Sequence, residues 1–174
     1  MAKFSEGFVR NLVEKLNNVA IPKTIRKEGE LEAIIYKTVR NYTKKALGVG
    51  DAKIDDIVFT HGVNWKKSKK DQNVIVYGCE NTSDIFIKER RLDTIYIELK
   101  FSKRRGNKEA SALPGDLQRA IGQSIIASLV HRYVICLIVC ETKIRKRKGK
   151  DYSKELQEKL RRDHRIELIV RSMS

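Results

Sequence analysis

Apolar residues recur on a helical period through the first quarter of the chain and gather into short strand-like runs through its middle. Phe8, Leu12, Leu16 and Val19 repeat at intervals of three and four, which predicts an amphipathic helix over Ser5–Asn18. Ile21-Pro22 interrupts it, since proline lacks the amide a helix interior needs. Leu31, Ile35, Val39, Tyr42 and Ala46 line one side of a second predicted helix from about Ile25 to Leu47. Gly48-Val49-Gly50 supplies its stop, because glycine accepts the left-handed cap conformation. β-prone runs follow at Ile57–Thr60 and Asn73–Tyr77, and Asp84–Lys88 with Thr94–Phe101 reads as a hairpin. Pro114 suits the first turn of a helix whose apolar side, Leu117, Ala120, Ile121, Ser124, Ile125 and Leu129, runs to about His131. The apolar run Tyr133–Cys140 fits a buried strand, and a helix near Ser153–Arg162 and a strand near Arg165–Arg171 close the chain. The order predicts an α/β sandwich around a mixed sheet. With no internal repeat or linker, residues 1–174 are expected to form one domain.

Charge changes the picture. The 174 residues carry 37 Lys+Arg against 22 Asp+Glu, a formal net charge of +15. Nucleic-acid phosphates are the usual partner of such an excess, because lysine and arginine displace condensed counterions from them. An acidic membrane surface or an acidic protein is the bland alternative. No apolar run approaches the ~18 residues a membrane span needs. The polar start Met1-Ala-Lys-Phe-Ser-Glu lacks a signal-peptide core, so an intracellular, cytoplasmic protein without membrane association is expected. Cys79, Cys136 and Cys140 show no CxxC spacing and read as small buried hydrophobes. Basic runs at Lys66–Lys70, Lys88–Arg91, Lys103–Arg105 and Lys143–Lys150 could track a phosphate backbone. For any single run, solvated surface charge is the safer reading.

The candidate chemistry sits on the predicted hairpin. Side chains alternate along a strand, so Tyr96, Glu98 and Lys100 share one face while Ile95, Ile97, Leu99 and Phe101 share the other. If the hairpin pairs Asp84 beside Glu98, two carboxylates and an ammonium converge. That set can hold a divalent cation and activate water beside a phosphodiester. A solvated surface ion pair is the competing reading, since Glu-x-Lys alone is common. The histidines lack metal-ligand spacing, and no phosphate-cradling GxxxxGK[ST], no GxGxxG and no G-x-S-x-G elbow occurs.

Asp84, thirteen intervening residues and then Glu98-Leu99-Lys100 resembles the signature of the PD-(D/E)xK nuclease superfamily, nearest its archaeal Holliday-junction resolvase-like and RecB-like branch, with Ser83 in the proline position. Gly29–Ile35 resembles the early helix whose glutamate adds a metal contact, which favours Glu32, with Glu28 and Glu30 as rivals. Arg119-Ala-Ile-Gly-Gln123 resembles the helix that brings a glutamine to the site, although Ala127 stands where a tyrosine is usual. The resemblance spans roughly Gly29 to Cys140. It implies a restriction-endonuclease-like α/β/α sandwich with a central mixed β-sheet and a homodimeric, Mg²⁺- or Mn²⁺-dependent DNA endonuclease with no other small-molecule cofactor. By the same resemblance Asp84, Glu98, Lys100 and Gln123 would be catalytic, and Glu32, Asp84, Glu98 and the Leu99 carbonyl would hold the metal. Lys66, Lys67, Lys103, Arg104, Arg105 and Arg119 are the candidate nucleic-acid contacts. A branched DNA junction is the favoured substrate, as no sequence-reading insert is evident. The second reading is a non-catalytic nucleic-acid-binding or scaffold protein on the same fold, motivated by the missing tyrosine.

Overall fold

The computed structural model describes residues 4–60, 73–77, 79–90, 93–103, 113–141 and 151–173. Two helices come first, α1 (Glu6–Asn18) and α2 (Glu28–Leu47). Ser5 caps α1, its hydroxyl accepting from the Phe8 amide at 3.2 Å, which satisfies one of the donors a helix start leaves free. Glu30 reaches back to the Arg26 amide at 2.7 Å and so fixes the start of α2, three residues later than the periodicity suggested. Gly48 ends that helix at φ 63°, as its position in the sequence predicts. A single turn, α3 (Asp51–Ile54), and β1 (Val58–Thr60) follow.

The middle of the chain holds β2 (Asn73–Val76), β3 (Cys79–Thr82), β4 (Ile85–Arg90) and β5 (Asp93–Ser102). After these come α4 (Leu113–Ser128), β6 (Tyr133–Cys140), α5 (Ser153–His164) and β7 (Ile166–Ser172). Two elements escape the hydrophobic pattern. α3 is too short to show a period, and β3 carries Glu80 and Asn81 on a sequence with poor strand propensity. α4 stops at Ser128, so Leu129 belongs to the turn beyond it and stands exposed.

The main sheet has five strands in the order β1-β4-β5-β6-β7; β2 and β3 form a separate antiparallel pair. β1, β4 and β5 pair antiparallel, whereas β5, β6 and β7 run parallel, so the sheet is mixed. Helices cover both faces. Ile95, Ile97, Leu99 and Phe101 of β5 join Ile135, Leu137 and Val139 of β6 in a core closed by Phe8, Leu12, Leu31 and Ile35 of α1 and α2. Tyr96, Val134, Cys136 and Ile138 face the other way, under Ala120 and Ala127 of α4 and Leu160 of α5. This double cover explains why β6 reads as an unbroken apolar run: neither of its faces meets water. Cys136 and Cys140 are free, buried thiols, and burial raises both above the usual thiol range. Among the described residues no helix is long and apolar enough to cross a membrane.

Candidate active site

β5 outruns its antiparallel neighbour. Pairing with β4 stops at Ile85↔Ile97, yet β5 continues to Ser102. Backbone donors along that stretch need other partners, since an unpaired buried amide is costly. Carboxylates take them. Asp84 Oδ2 accepts from the Leu99 amide at 2.6 Å, and Glu28 Oε2 accepts from the Phe101 amide at 3.1 Å. The Asp84 amide itself donates to the Ile97 carbonyl at 3.2 Å. One step beyond the last registered pair therefore sets Asp84 opposite Glu98, the arrangement the spacing anticipated. In an extended strand a residue's N–H and C=O project to the same edge, so the Leu99 carbonyl shares the side on which Asp84 lies. Lys100 Nζ completes the cluster, 3.3 Å from Glu28 Oε1.

Asp84 is partly buried, and Glu98 is only 2% exposed. Burial is the largest influence on both and pushes them upward, Asp84 to about 7 and Glu98 to about 8. Repulsion from Asp84 raises Glu98 further, and Glu28 repels both. Glu32 adds to the repulsion at Asp84. The Leu99 amide and the Lys100 ammonium oppose the rise at Asp84, and the ammonium opposes it at Glu98. Desolvation works against the charge on Lys100, but Glu28, Glu98 and Asp84 outweigh it and hold the amine protonated above its ordinary value. In this strongly basic chain, Glu28, Asp84 and Glu98 thus all act on the Lys100 ammonium, and Glu32 acts on Asp84 beside them.

A second row of polar groups supports Glu98 from inside. The Tyr96 hydroxyl donates to Glu98 Oε2 at 3.3 Å, and burial followed by the Glu98 charge drives that phenol well above its ordinary range. Asn81 of β3 hydrogen-bonds the same hydroxyl. Its side-chain amide also donates to the Gln123 carbonyl at 3.0 Å and accepts from Gln123 Nε2 at 3.3 Å. The Tyr96 ring stacks on the buried His131 ring, 5.2 Å between centroids, which fixes the phenol's direction.

The structure gathers Asp84, Glu98, Leu99 and Lys100 at one end of β5. Glu32 lies close enough to influence Asp84 and accepts a hydrogen bond from the Thr60 hydroxyl, but the glutamate that reaches β5 and Lys100 is Glu28. These two are four apart on α2 and therefore share a face, whereas Glu30 is spent on the helix start. Gln123 joins the site through Asn81 and Tyr96. Arg119 pairs with Asp116 at 3.0 Å on its own helix. Lys103 is exposed just past β5. Lys66, Lys67, Arg104 and Arg105 lie outside the described residues, as does the run Lys143–Lys150. Tyr96 shares the Glu98 face by its parity along the strand, the one sequence signal of its place beside the site. Nothing in the sequence pointed to Asn81, because its partners come from elements far apart in the chain.

Among the described residues no three Asp, Glu, His or Cys side chains close on one point as a ready-made metal cage. Two opposed carboxylates with a backbone carbonyl on the same edge still form a hard-oxygen donor set. Mg²⁺ is commonly held by one or two carboxylates with water filling the remaining positions. Burial and mutual repulsion disfavour the charged forms of Asp84 and Glu98, and a divalent cation between them would offset both. No protein-family model, curated protein or solved structure matches the chain.

Proposed function

We propose that this chain is a divalent-metal-dependent DNA endonuclease of the PD-(D/E)xK type, with the restriction-endonuclease-like form of the α/β/α sandwich. The observation that carries the reading is the opposition of Asp84 and Glu98 at the open end of β5, with Lys100 two residues on along the same face. Asp84 and Glu98 would hold Mg²⁺ or Mn²⁺, with the Leu99 carbonyl beside them. Bound there, the ion supplies positive charge next to the scissile phosphate and lowers the pKa of water. The chain's own groups do the rest. Lys100, kept protonated by the surrounding acids, orients the attacking water and offsets charge on the phosphate oxygens. Tyr96 holds one Glu98 oxygen and leaves the other for the ion. The net charge of +15 draws the DNA backbone to the protein. A homodimer cutting a branched junction symmetrically extends the same reading.

Two observations favour a second reading, a nucleic-acid-binding protein without catalysis. Lys100 is engaged by Glu28 at 3.3 Å, and Gln123 bonds Asn81 in place of a site carboxylate. Calorimetry with Mn²⁺ and a cleavage assay on linear duplex, single strand, flap and four-way junction separate the two. The nuclease reading expects a Mn²⁺ site that Glu98→Ala abolishes, together with metal-dependent product lost in the same variant. Metal-independent, salt-sensitive binding with no product over long incubation supports the second.

A further inference from the structure

Away from the acidic site, a cavity of about 540 Å³ opens between α1, the start of β6 and the junction of α5 with β7. Tyr133, in its wall, pairs with Ile95, five residues before Lys100. The cavity and the acids are therefore separated by about 16 Å along β5 alone. Its volume lies within the range of small-ligand pockets. Arg10, Arg132, Arg161 and Arg165 line it, against the carboxylates Glu6 and Glu167.

The four arginines are not equivalent. Arg161 is accounted for by a two-pronged pair with Glu167, both contacts at 2.7 Å. The Arg132 guanidinium lies 5.3 Å from the centre of the Tyr133 ring. Among the described residues, Arg10 and Arg165 make no side-chain ion pair or hydrogen bond. This holds for Arg10 even though Glu6 stands one helical turn before it, at the spacing where such pairs form. Arg165 also occupies the α5 cap at φ 55°, where glycine or asparagine is the comfortable choice. The cavity wall thus carries an exposed cationic side chain at a backbone position that glycine or asparagine would adopt more easily. Val9 and Val13 supply an apolar wall, and Glu167 is already taken by Arg161.

We propose that this cleft binds a phosphate group through Arg10 and Arg165, with Arg132 as the third positive wall. The guanidinium fork matches phosphate oxygens two at a time. The phosphate belongs either to a nucleic-acid strand that extends past the acidic site or to a free phosphomonoester. The cleft shares no residue with the acidic site, so the proposal stands or falls separately from the nuclease reading.

The test uses the full chain in EDTA, where metal-dependent cleavage is silent. Anisotropy with a labelled 20-base-pair duplex compares Arg10→Glu with Lys15→Glu, an equal charge reversal on an exposed residue of the same helix. Arg165→Gly is the second variant, because glycine keeps the left-handed backbone. The amide chemical shifts of Tyr133 and of position 165 are followed during titration with inorganic phosphate and with AMP. A loss of affinity in Arg10→Glu roughly tenfold beyond that of Lys15→Glu, with a shallower salt dependence, assigns the phosphate to a strand. Equal duplex affinities, with saturable shifts under AMP or phosphate that vanish in Arg10→Glu and weaken in Arg165→Gly, assign it to a free phosphomonoester. Equal duplex losses in Arg10→Glu and Lys15→Glu without saturable shifts overturn the proposal.

Discussion

The two ends of the parallel strands carry opposite surpluses. At the far end of β5, Glu28, Asp84 and Glu98 act on the Lys100 ammonium; where β6 and β7 begin, four arginines face two glutamates. A chain that is basic overall has concentrated acid where its sheet edge is left open. The acids there answer a backbone need, because Asp84 and Glu28 cap the amides that β4 leaves free. Burial, with repulsion from neighbouring acids added to it, pushes Asp84 and Glu98 upward. The arginine cleft has no comparable backbone need to meet, and the Arg10 and Arg165 guanidiniums serve no neighbouring group among the described residues. Among the described residues, carboxylates predominate at one end and guanidiniums at the other.

The sharpest way to break this contrast is to remove the acid pair. Glu98→Ala or Asp84→Asn is expected to lower metal-dependent DNA cleavage by at least about a thousandfold, measured as single-turnover product on a junction substrate. Full activity in Glu98→Ala would sink the nuclease reading. Lys100→Met should cost roughly a hundredfold in the same assay while leaving Mn²⁺ affinity near that of the parent, since the role proposed for the ammonium is on the reacting oxygens.

Stability against pH sharpens the comparison without any substrate. The folded-state values of about 7 and about 8 lie above the ordinary 3.8 and 4.5, so the native state binds more protons than the unfolded chain between about pH 4 and 8. The contribution of these groups is fully present below pH 4 and is lost as pH rises through 7 and 8. Metal-free protein should therefore melt lower at pH 8 than the rest of its titration would dictate. Glu98→Gln should raise the pH 8 melting temperature by about 2–8 °C, corresponding to ~1–2 kcal/mol, and leave that at pH 5 nearly unchanged. Mn²⁺ should narrow the gap by displacing those protons, and its affinity should grow with pH over the same window. A flat difference between Glu98→Gln and parent across pH would contradict the upward shift of Glu98.

The smallest expected effect belongs to the inner polar row. Tyr96→Phe removes the hydroxyl between Asn81 and Glu98 and should slow cleavage about tenfold. It should also leave Asn81 short of a partner, at roughly 1 kcal/mol of stability. Urea unfolding and the cleavage rate together check this, since a purely structural role would move only the first.

Much of this was open to inspection in the chain. The period of Phe8, Leu12 and Leu16, the glycine stop after Leu47 and the apolar run of β6 follow from local preferences and burial, which act within a few residues. The alternation along Thr94–Phe101 placed Glu98 and Lys100 on one face for the same reason, and the thirteen-residue interval was compatible with Asp84 arriving opposite. Which glutamate of α2 would reach β5 could not be read this way: Glu28 and Glu32 share a helix face, and the choice rests on how α2 crosses the sheet edge. Asn81 and Gln123 meet across 42 positions, and the arginine cleft draws on α1, β6, α5 and β7. Periodicity specifies which side of an element is buried. The partner waiting on that side is decided only when distant segments pack, because hydrogen bonds and unscreened charge act over a few ångströms of space and take no account of separation along the chain.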